Sequence, residues 1–416
     1  MSGVNFFERL LDGVAVEWKT LGNVTQLTKN IKWRDASRTY RYIDLTSVSI
    51  ETKTIIETSE ITSSNAPSRA QKLLEKDDVI FATTRPAQQR YCLIDDPYAG
   101  EVASTGYCIL RAKKGEVLPK WIMYWIASAD FKEYVEENQS GSAYPAISDA
   151  KVKDFKIPIP CPENSKKSLE IQAEIVRILD SFTKLTAELT AELAARKKQY
   201  NYYRDQLLSF KDEDVEWKTL GELTSLITKG TTPKRYVDKG IAFIKTESFD
   251  SAYINTNRLS FIDEETHNKE LKRSILKIND ILITIAGATI GKCAIVPKEV
   301  LPANTNQALA IIRLNEEINY NYVFHLIKSS HLRKYIEKNV KGSAQPNLNL
   351  EQLSNFSIPY PSSDKQARIV AILDKFDALI SSTTEGLPCE IELRQKQYEH
   401  YRNLLLNFPN PEEAEA

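Results

Sequence analysis

Three short segments of this sequence place residue types at spacings that enzymes use. Gly287-Ala288-Thr289-Ile290-Gly291-Lys292-Cys293 has the glycines and lysine of a phosphate-cradling loop. That loop needs four residues between its glycines and a hydroxyl after the lysine to reach the metal ion. Here only Ala288, Thr289 and Ile290 separate the glycines, and Cys293 follows Lys292. The segment reads instead as a turn that presents backbone N–H groups and Lys292 to a phosphate. Asp95-Asp96-Pro97-Tyr98 matches part of the Asn/Asp-Pro-Pro-aromatic motif of amino-methyltransferases. It lacks the second proline and no glycine-rich cofactor loop accompanies it, so a plain turn is expected. Glu17-x-Lys19 and Glu216-x-Lys218 offer the carboxylate and lysine of a nuclease site, but they recur at equivalent joins of the chain and read as structural.

Nothing else suggests catalysis or metal binding. His267, His325, His331 and His400 are dispersed. Cys92, Cys108, Cys161, Cys293 and Cys389 include no C-x-x-C pair, which argues against a disulfide framework and a structural zinc site. No catalytic residue, bound metal or bound cofactor is expected.

What remains is suited to binding. Lys29, Asn30, Lys32 and Arg34 lie in one loop-like run, and Thr84, Arg85, Gln88, Gln89 and Arg90 in another. Lys229, Thr231, Thr232 and Lys234 form a third, joined by Lys245, Thr289, Lys292, Asn304, Asn306 and Gln307. Two Gly-Ser turns add Ser142, Ser343 and Gln345. Arg and Lys pair with guanine edges, and Asn and Gln with adenine. Hydroxyls, Lys and backbone N–H groups hold phosphates.

The net charge of −1 is unpromising for a DNA binder, but it conceals segments. Residues 18–156 hold 20 basic and 18 acidic residues, and residues 217–356 hold 19 and 14. The acidic excess lies elsewhere. No run approaches the roughly 20 apolar residues of a membrane span, and no signal-peptide pattern opens the chain. A cytoplasmic protein is expected.

The elements that position these residues come twice. Val16-Glu17-Trp18-Lys19-Thr20-Leu21-Gly22 recurs unchanged at Val215–Gly221. GSAYP at 141–145 matches GSAQP at 342–346, and IPIP at 157–160 matches IPYP at 358–361. QAEIVRILDSF (172–182) matches QARIVAILDKF (366–376), and RKKQYNYYRDQLLSF (196–210) matches RQKQYEHYRNLLLNF (394–408). A repeat of about half the chain fixes the architecture before any element does. The helical segments match closely, while residues 23–140 and 222–340 share sparse landmarks such as LLEKDDVIFATT (73–84) and ILKINDILITIA (275–286). A shared scaffold thus carries two diverged domains. FFERLLDG at the start resembles the tail of the middle helix, which predicts that the N- and C-terminal helix ends lie close together.

Residues 166–209 read as one long helix. Ile171, Ile175, Ile178, Phe182, Leu185, Leu189, Leu193, Tyr200, Tyr203 and Leu207 follow a coiled-coil seam. The tandem Thr186-Ala187-Glu188-Leu189 and Thr190-Ala191-Glu192-Leu193 is a stutter in it. The second copy, Asp364 to about Leu406, carries Ile369, Leu373, Phe376, Tyr398, Tyr401 and Leu405, and Gly386-Leu387-Pro388 breaks it. The two are expected to pack antiparallel. The domains alternate strand-like runs (78–83, 242–245, 280–285, 308–314) with helical patterns (Pro119–Glu136, Tyr320–Lys338). The class is α+β, with two mixed domains in tandem. The expected division is a helix tail and the entry to the first domain at 1–22, a first domain at 23–160 and helices at 161–214. A second domain at 215–361, helices at 362–408 and a flexible acidic tail at 409–416 complete it.

Gly230-Thr231-Thr232-Pro233, Asn306-Gln307, GSAQPNL at 342–348, the I-P-x-P segments and the Q-x-x-I-V-x-I-L-D helices resemble the specificity subunits of type I restriction-modification systems over the whole chain. The R-K-K-Q-Y helix and the Thr-Ala-Glu-Leu tandem resemble the IC subclass. The resemblance implies two target recognition domains, each reading half of an asymmetric bipartite sequence in double-stranded DNA. It implies paired helices that set the gap and dock two modification subunits, which methylate adenine with S-adenosylmethionine. Two restriction subunits, using ATP and Mg2+, join that core. Where the second domain has G-T-T-P, the first has Lys29-Asn30-Ile31-Lys32, so the turn-based contact is carried to the second domain only. Two rival readings are an enzyme acting through the three decoy motifs and a non-catalytic adaptor with two ligand-binding domains on a coiled coil.

Overall fold

The computed structural model describes residues 14–250, 253–287, 289–340, 347–382 and 386–409. The helix tail expected before residue 14 and the acidic tail after 409 lie outside the described residues. Two compact units divide the chain: residues to Thr186 together with those from Leu393, and Ala187–Glu392.

In the first unit, Val16–Thr20 pairs antiparallel with Lys156–Pro160. In the second, Glu216–Thr219 pairs likewise with Ser357–Tyr360. Alternate residues of a strand share a face, so Glu17 meets Lys19 at 3.3 Å and Glu216 meets Lys218 at 3.6 Å. The carboxylate–lysine pairs close on themselves at the join, as the repeat suggested.

Each unit then builds a four-stranded sheet with the same strand order. Thr25–Gln26, Tyr107–Ala112, Val79–Ala82 and Tyr91–Leu93 form one in the first unit, in that order. Thr224–Lys229, Leu309–Leu314, Ile281–Thr284 and Cys293–Ile295 repeat it in the second. A further sheet in each has a parallel pair: Tyr40–Ile43 with Val102–Ser104, and Ile241–Ile244 with Ala303–Thr305. The central strands, buried at every position, read as continuous apolar runs.

A buried ion pair braces both sheets. Asp78 (0% exposed) accepts from Arg111 Nε and Nη2, both at 2.8 Å, and from the Glu75 amide at 2.7 Å. Asp280 (1% exposed) accepts from Arg313 at 2.8 and 2.7 Å and from the Lys277 amide at 2.7 Å. A fork of two N–H donors satisfies both carboxylate oxygens, the condition under which a buried charge is tolerated.

The helical patterns Pro119–Glu136 and Tyr320–Lys338 each resolve into two helices: Pro119–Ile126 and Ala129–Asn138, then Tyr320–Lys328 and Ser330–Asn339. The break falls at Ser128 and Ser329, whose hydroxyls accept from the amides of Phe131 (3.1 Å) and His331 (3.2 Å). A serine that caps the next helix competes with continuation of the first.

The long helix runs unbroken over Ser165–Leu207, 43 residues, or about 65 Å at 1.5 Å per residue. Its counterpart is split into Ser363–Ser381 and Leu387–Leu405. At the split Gly386 takes φ +90°, and a Cβ there would sit 2.7 Å from Leu379 O. Phe182 stacks on Tyr401 at 5.2 Å in the first unit, and Tyr203 on Phe376 at 6.1 Å in the second. Numbers rise along one helix as they fall along the other, so the pairing is antiparallel. Ile171, Ile175, Tyr200, Ile369, Leu373 and Leu405 are buried, Tyr203 is 42% exposed, and Ile178, Phe182, Leu185, Leu189, Leu193, Leu207, Phe376, Tyr398 and Tyr401 are half-buried. A seam with a single partner helix covers its side chains only in part. The α+β class and the tandem of mixed domains on an antiparallel coiled coil are the observed architecture.

The shared helix motif explains itself in contacts. Gln172 accepts from the Leu118 amide (2.9 Å) and donates to Glu116 O (3.1 Å), while Gln366 donates to Pro361 O (2.9 Å). Asp180 accepts from Tyr124 Oη at 2.6 Å and Lys120 at 2.5 Å. Asp374 accepts from His325 Nε2 and Asp377 from Lys328, both at 2.7 Å. These carboxylates latch each domain onto its helix. In the first unit Trp18 Nε1 donates to Pro409 O at 2.9 Å, and Phe408 packs edge-on to Trp121 at 5.7 Å. The N-terminal join and the end of the last helix therefore meet.

Candidate nucleic-acid interface

In the first unit the hairpin between Val79–Ala82 and Tyr91–Leu93 carries Thr84, Arg85, Gln88, Gln89 and Arg90. Arg85 (φ 50°) and Gln89 (φ 51°) take left-handed conformations on either side of the Pro86–Gln88 turn. Such strain in non-glycine residues persists only where neighbours enforce it. They do so here. The Arg85 amide donates to Pro145 O at 2.7 Å, and Lys53 Nζ donates to Gln89 O at 2.5 Å. Arg90 turns a guanidinium N–H inward to Val48 O. The loop carrying Ser142 pairs with the hairpin through Ala146 and Thr84. Arg85 stands 5.1 Å from the ring centroid of Tyr144, which is 71% exposed. Arg85, Gln88 and Ser142 are exposed; Thr84, Gln89 and Arg90 are half-buried.

Lys29, Asn30, Lys32 and Arg34 form a second exposed group. Asn30 pairs with Lys72, whose Nζ donates to Asp149 Oδ2 at 2.8 Å, just beyond the loop of Ser142 and Tyr144. Lys72 thus ties the two groups together. Burial and the nearby Arg90 charge lower the Lys53 amine to about 8, since a half-desolvated ammonium beside another cation is disfavoured.

In the second unit the G-T-T-P turn and the Asn-Gln pair come together. A Cβ on Gly230 would lie 2.0 Å from Thr305 O and 2.3 Å from Asn306 O, so only glycine fits. The Thr231 amide donates to Thr305 O at 3.1 Å, and Thr232 Oγ1 donates to Gln307 Oε1. Asn306 Oδ1 accepts from the Ala308 amide at 3.2 Å and shapes the turn. Lys229, Thr231, Thr232 and Gln307 are exposed. Lys234 is exposed and pairs with Glu270 at 3.1 Å.

Several expectations change. Asn304 is fully buried, donating to Leu271 O at 3.0 Å and facing His267 Nδ1, so it is a core polar residue and not a base reader. Lys245 is half-buried over the Tyr236 ring (4.4 Å) and beside Glu247 (3.7 Å). The loop Ile285–Lys292 is the counterpart of the Thr83–Arg90 hairpin. Its amides at Ile290, Gly291 and Lys292 donate to Gly287 O, Thr284 O and Thr289 O. These N–H groups are used within the loop and cannot cradle a phosphate; exposed Thr289 and the Lys292 ammonium remain available. Ser343 and Gln345 lie outside the described residues, although Ala286 pairs with Asn347 as Thr84 does with Ala146.

Tyr144, Lys53 and Arg273, which reaches Thr231 Oγ1 at 3.5 Å, were not singled out from sequence. Exposed aromatics and single cations in loop composition leave no periodic signal. Asp95-Asp96-Pro97-Tyr98 is a turn, with Lys76 on Asp96 at 2.8 Å. The thiols of Cys92, Cys108 and Cys293 are buried and pushed up to about 12 by desolvation. Among the described residues no helix is long and apolar enough to cross a membrane.

The family model for the type I restriction modification DNA specificity domain matches residues 14–196 and 212–393. An Escherichia coli relative, the type I restriction enzyme EcoR124I/EcoR124II specificity subunit, is 37% identical across 99% of both chains. The EcoprrI specificity subunit of the same species is 33% identical over 92% of this chain and 93% of its own. A chain from a structure of type I R-M complex assembly shares the fold at TM-score 0.64 and 20% identity, covering 94% of this chain and 97% of its own. The S subunit from M. genitalium does so at TM-score 0.52 and 16% identity, over 96% and 98%. This chain belongs to the family of type I restriction-modification DNA specificity proteins.

Proposed function

We propose that this chain is the DNA recognition subunit of a type I restriction-modification complex. Each domain reads one half of an asymmetric bipartite target in double-stranded DNA. The antiparallel helices hold the half-sites at a fixed separation and dock two modification subunits, to which two restriction subunits are added. The chain is not itself a catalyst; S-adenosylmethionine, ATP and Mg2+ serve the partner subunits. The observation that carries this reading is the duplicated domain with unlike loops on a like frame: Arg85 and Gln88 on the hairpin of one copy where the other has Thr289 and Lys292, and Lys29, Asn30 and Lys32 where the other has Thr231 and Thr232. Two copies that keep their joins and latches but differ where they meet solvent are suited to reading two different sequences.

The test is co-expression with the cognate modification subunit and sequencing of methylated adenines in host DNA. A single two-part motif with a fixed gap is expected. An assembled complex that methylates nothing would replace this reading with the non-catalytic adaptor.

A further inference from the structure

In the second unit a cleft of about 580 Å³ opens between the Thr289–Lys292 turn, the Ser330–Asn339 helix and the scaffold helices. Lys197 from the long helix, Lys292 from the hairpin and Arg333 from the domain helix all line it. Among the described residues none of these three side chains has a hydrogen-bond or ion-pair partner. The carboxylates that could neutralise them are engaged elsewhere. Asp377 is held by Lys328 at 2.7 Å, and neighbouring Asp205 by Arg204 (2.9 Å) and the Ser330 amide (3.1 Å). Glu337 alone remains among the lining residues. Three unpaired cations brought to one cleft repel one another unless an anion joins them.

Resting on the proposed function, we infer that this cleft seats the DNA backbone, with Lys197, Lys292 and Arg333 contacting phosphates outside the bases the domain reads. The cations come from three separate elements at an open rim, suited to a strand bearing one charge per ~3.4 Å rather than to one compact anion. The hairpin on one wall also exposes Thr289. The scaffold helix thereby becomes a DNA contact as well as a spacer.

The experiment compares the assembled complex carrying wild-type chain, K197Q/K292Q/R333Q, or K197R/K292R/R333K. Binding to duplexes with and without the target is measured by fluorescence anisotropy over a salt series. In the glutamine variant the log–log salt slope should become shallower by about two to three. Both duplexes should weaken alike and the methylated motif should keep its bases. The charge-conserving variant should keep the wild-type slope. An unchanged slope in the glutamine variant overturns the inference. So does failure of that variant alone to assemble with the modification subunit, which would assign the cleft to an acidic protein surface. If the wild-type complex shows no salt-dependent DNA binding, the proposed function itself falls.

Discussion

At the residue scale, the buried pairs Asp78–Arg111 and Asp280–Arg313 are the clearest structural commitments. Arg111→Met leaves the Asp78 carboxylate buried without its fork and should cost roughly 3–5 kcal/mol; urea unfolding of the complex would read it. Pairing it with Asp78→Leu should recover most of that loss, because the stranded charge is gone. Gly230→Ala cannot be accommodated without moving the Thr305–Asn306 backbone. We expect it to abolish adenine methylation while the complex still assembles, and unaltered methylation would remove the G-T-T-P turn from the interface. Lys53, with its amine lowered to about 8, should acylate faster near pH 8 than ordinary lysines, as peptide mass spectrometry after brief labelling would show. The ion pairs were legible in principle: both join residues 33 positions apart, at equivalent places in the two copies. Asn304 misled because an amide beside a turn looks the same in sequence whether it faces solvent or a buried histidine.

At the element scale, the helices were legible and the sheets were not. Periodicity over 40 residues is a local signal, and the Gly386-Leu387-Pro388 break falls where the sequence puts it. Ser128 and Ser329 hid inside amphipathic patterns, since a capping serine has the polarity of any exposed position. Strand order depends on pairings far apart in sequence, such as Tyr42 with Val102, which no window contains. Thr186–Leu193 lies within continuous helix. Removing Thr190–Leu193 should therefore shorten the rod by about 6 Å and the preferred gap by one or more base pairs. Both half-sites should be unchanged, and methylation mapping of the deletion variant would show it.

At the scale of the whole molecule, net charge misinforms and its distribution informs. A chain of net charge −1 should still bind duplex DNA in its complex with a steep inverse dependence on salt, because charge on the domains meets the phosphates. Titrating the complex from ~50 to ~200 mM salt should weaken binding by an order of magnitude or more. A flat response would show that recognition does not run through phosphate contacts. The repeat made the architecture legible early, since its two copies fix both the duplication and the shared frame. The recognition loops stayed obscure because divergence, which marks them, also erases the landmarks by which residues are matched.

The pairing of Val16–Thr20 with Lys156–Pro160, and of Glu216–Thr219 with Ser357–Tyr360, has a consequence for how such proteins change. Each domain is wired into its frame through two neighbouring strands, like a plug with both pins on one side. The segment between the pins can be exchanged for a foreign sequence of similar span, provided it restores a partner for Asp180 where Tyr124 stands or for Asp374 where His325 stands. Because the plug at both sockets has the same seven-residue lead, a domain taken from one socket should function in the other. New two-part specificities would then arise by shuffling whole modules rather than by altering them residue by residue.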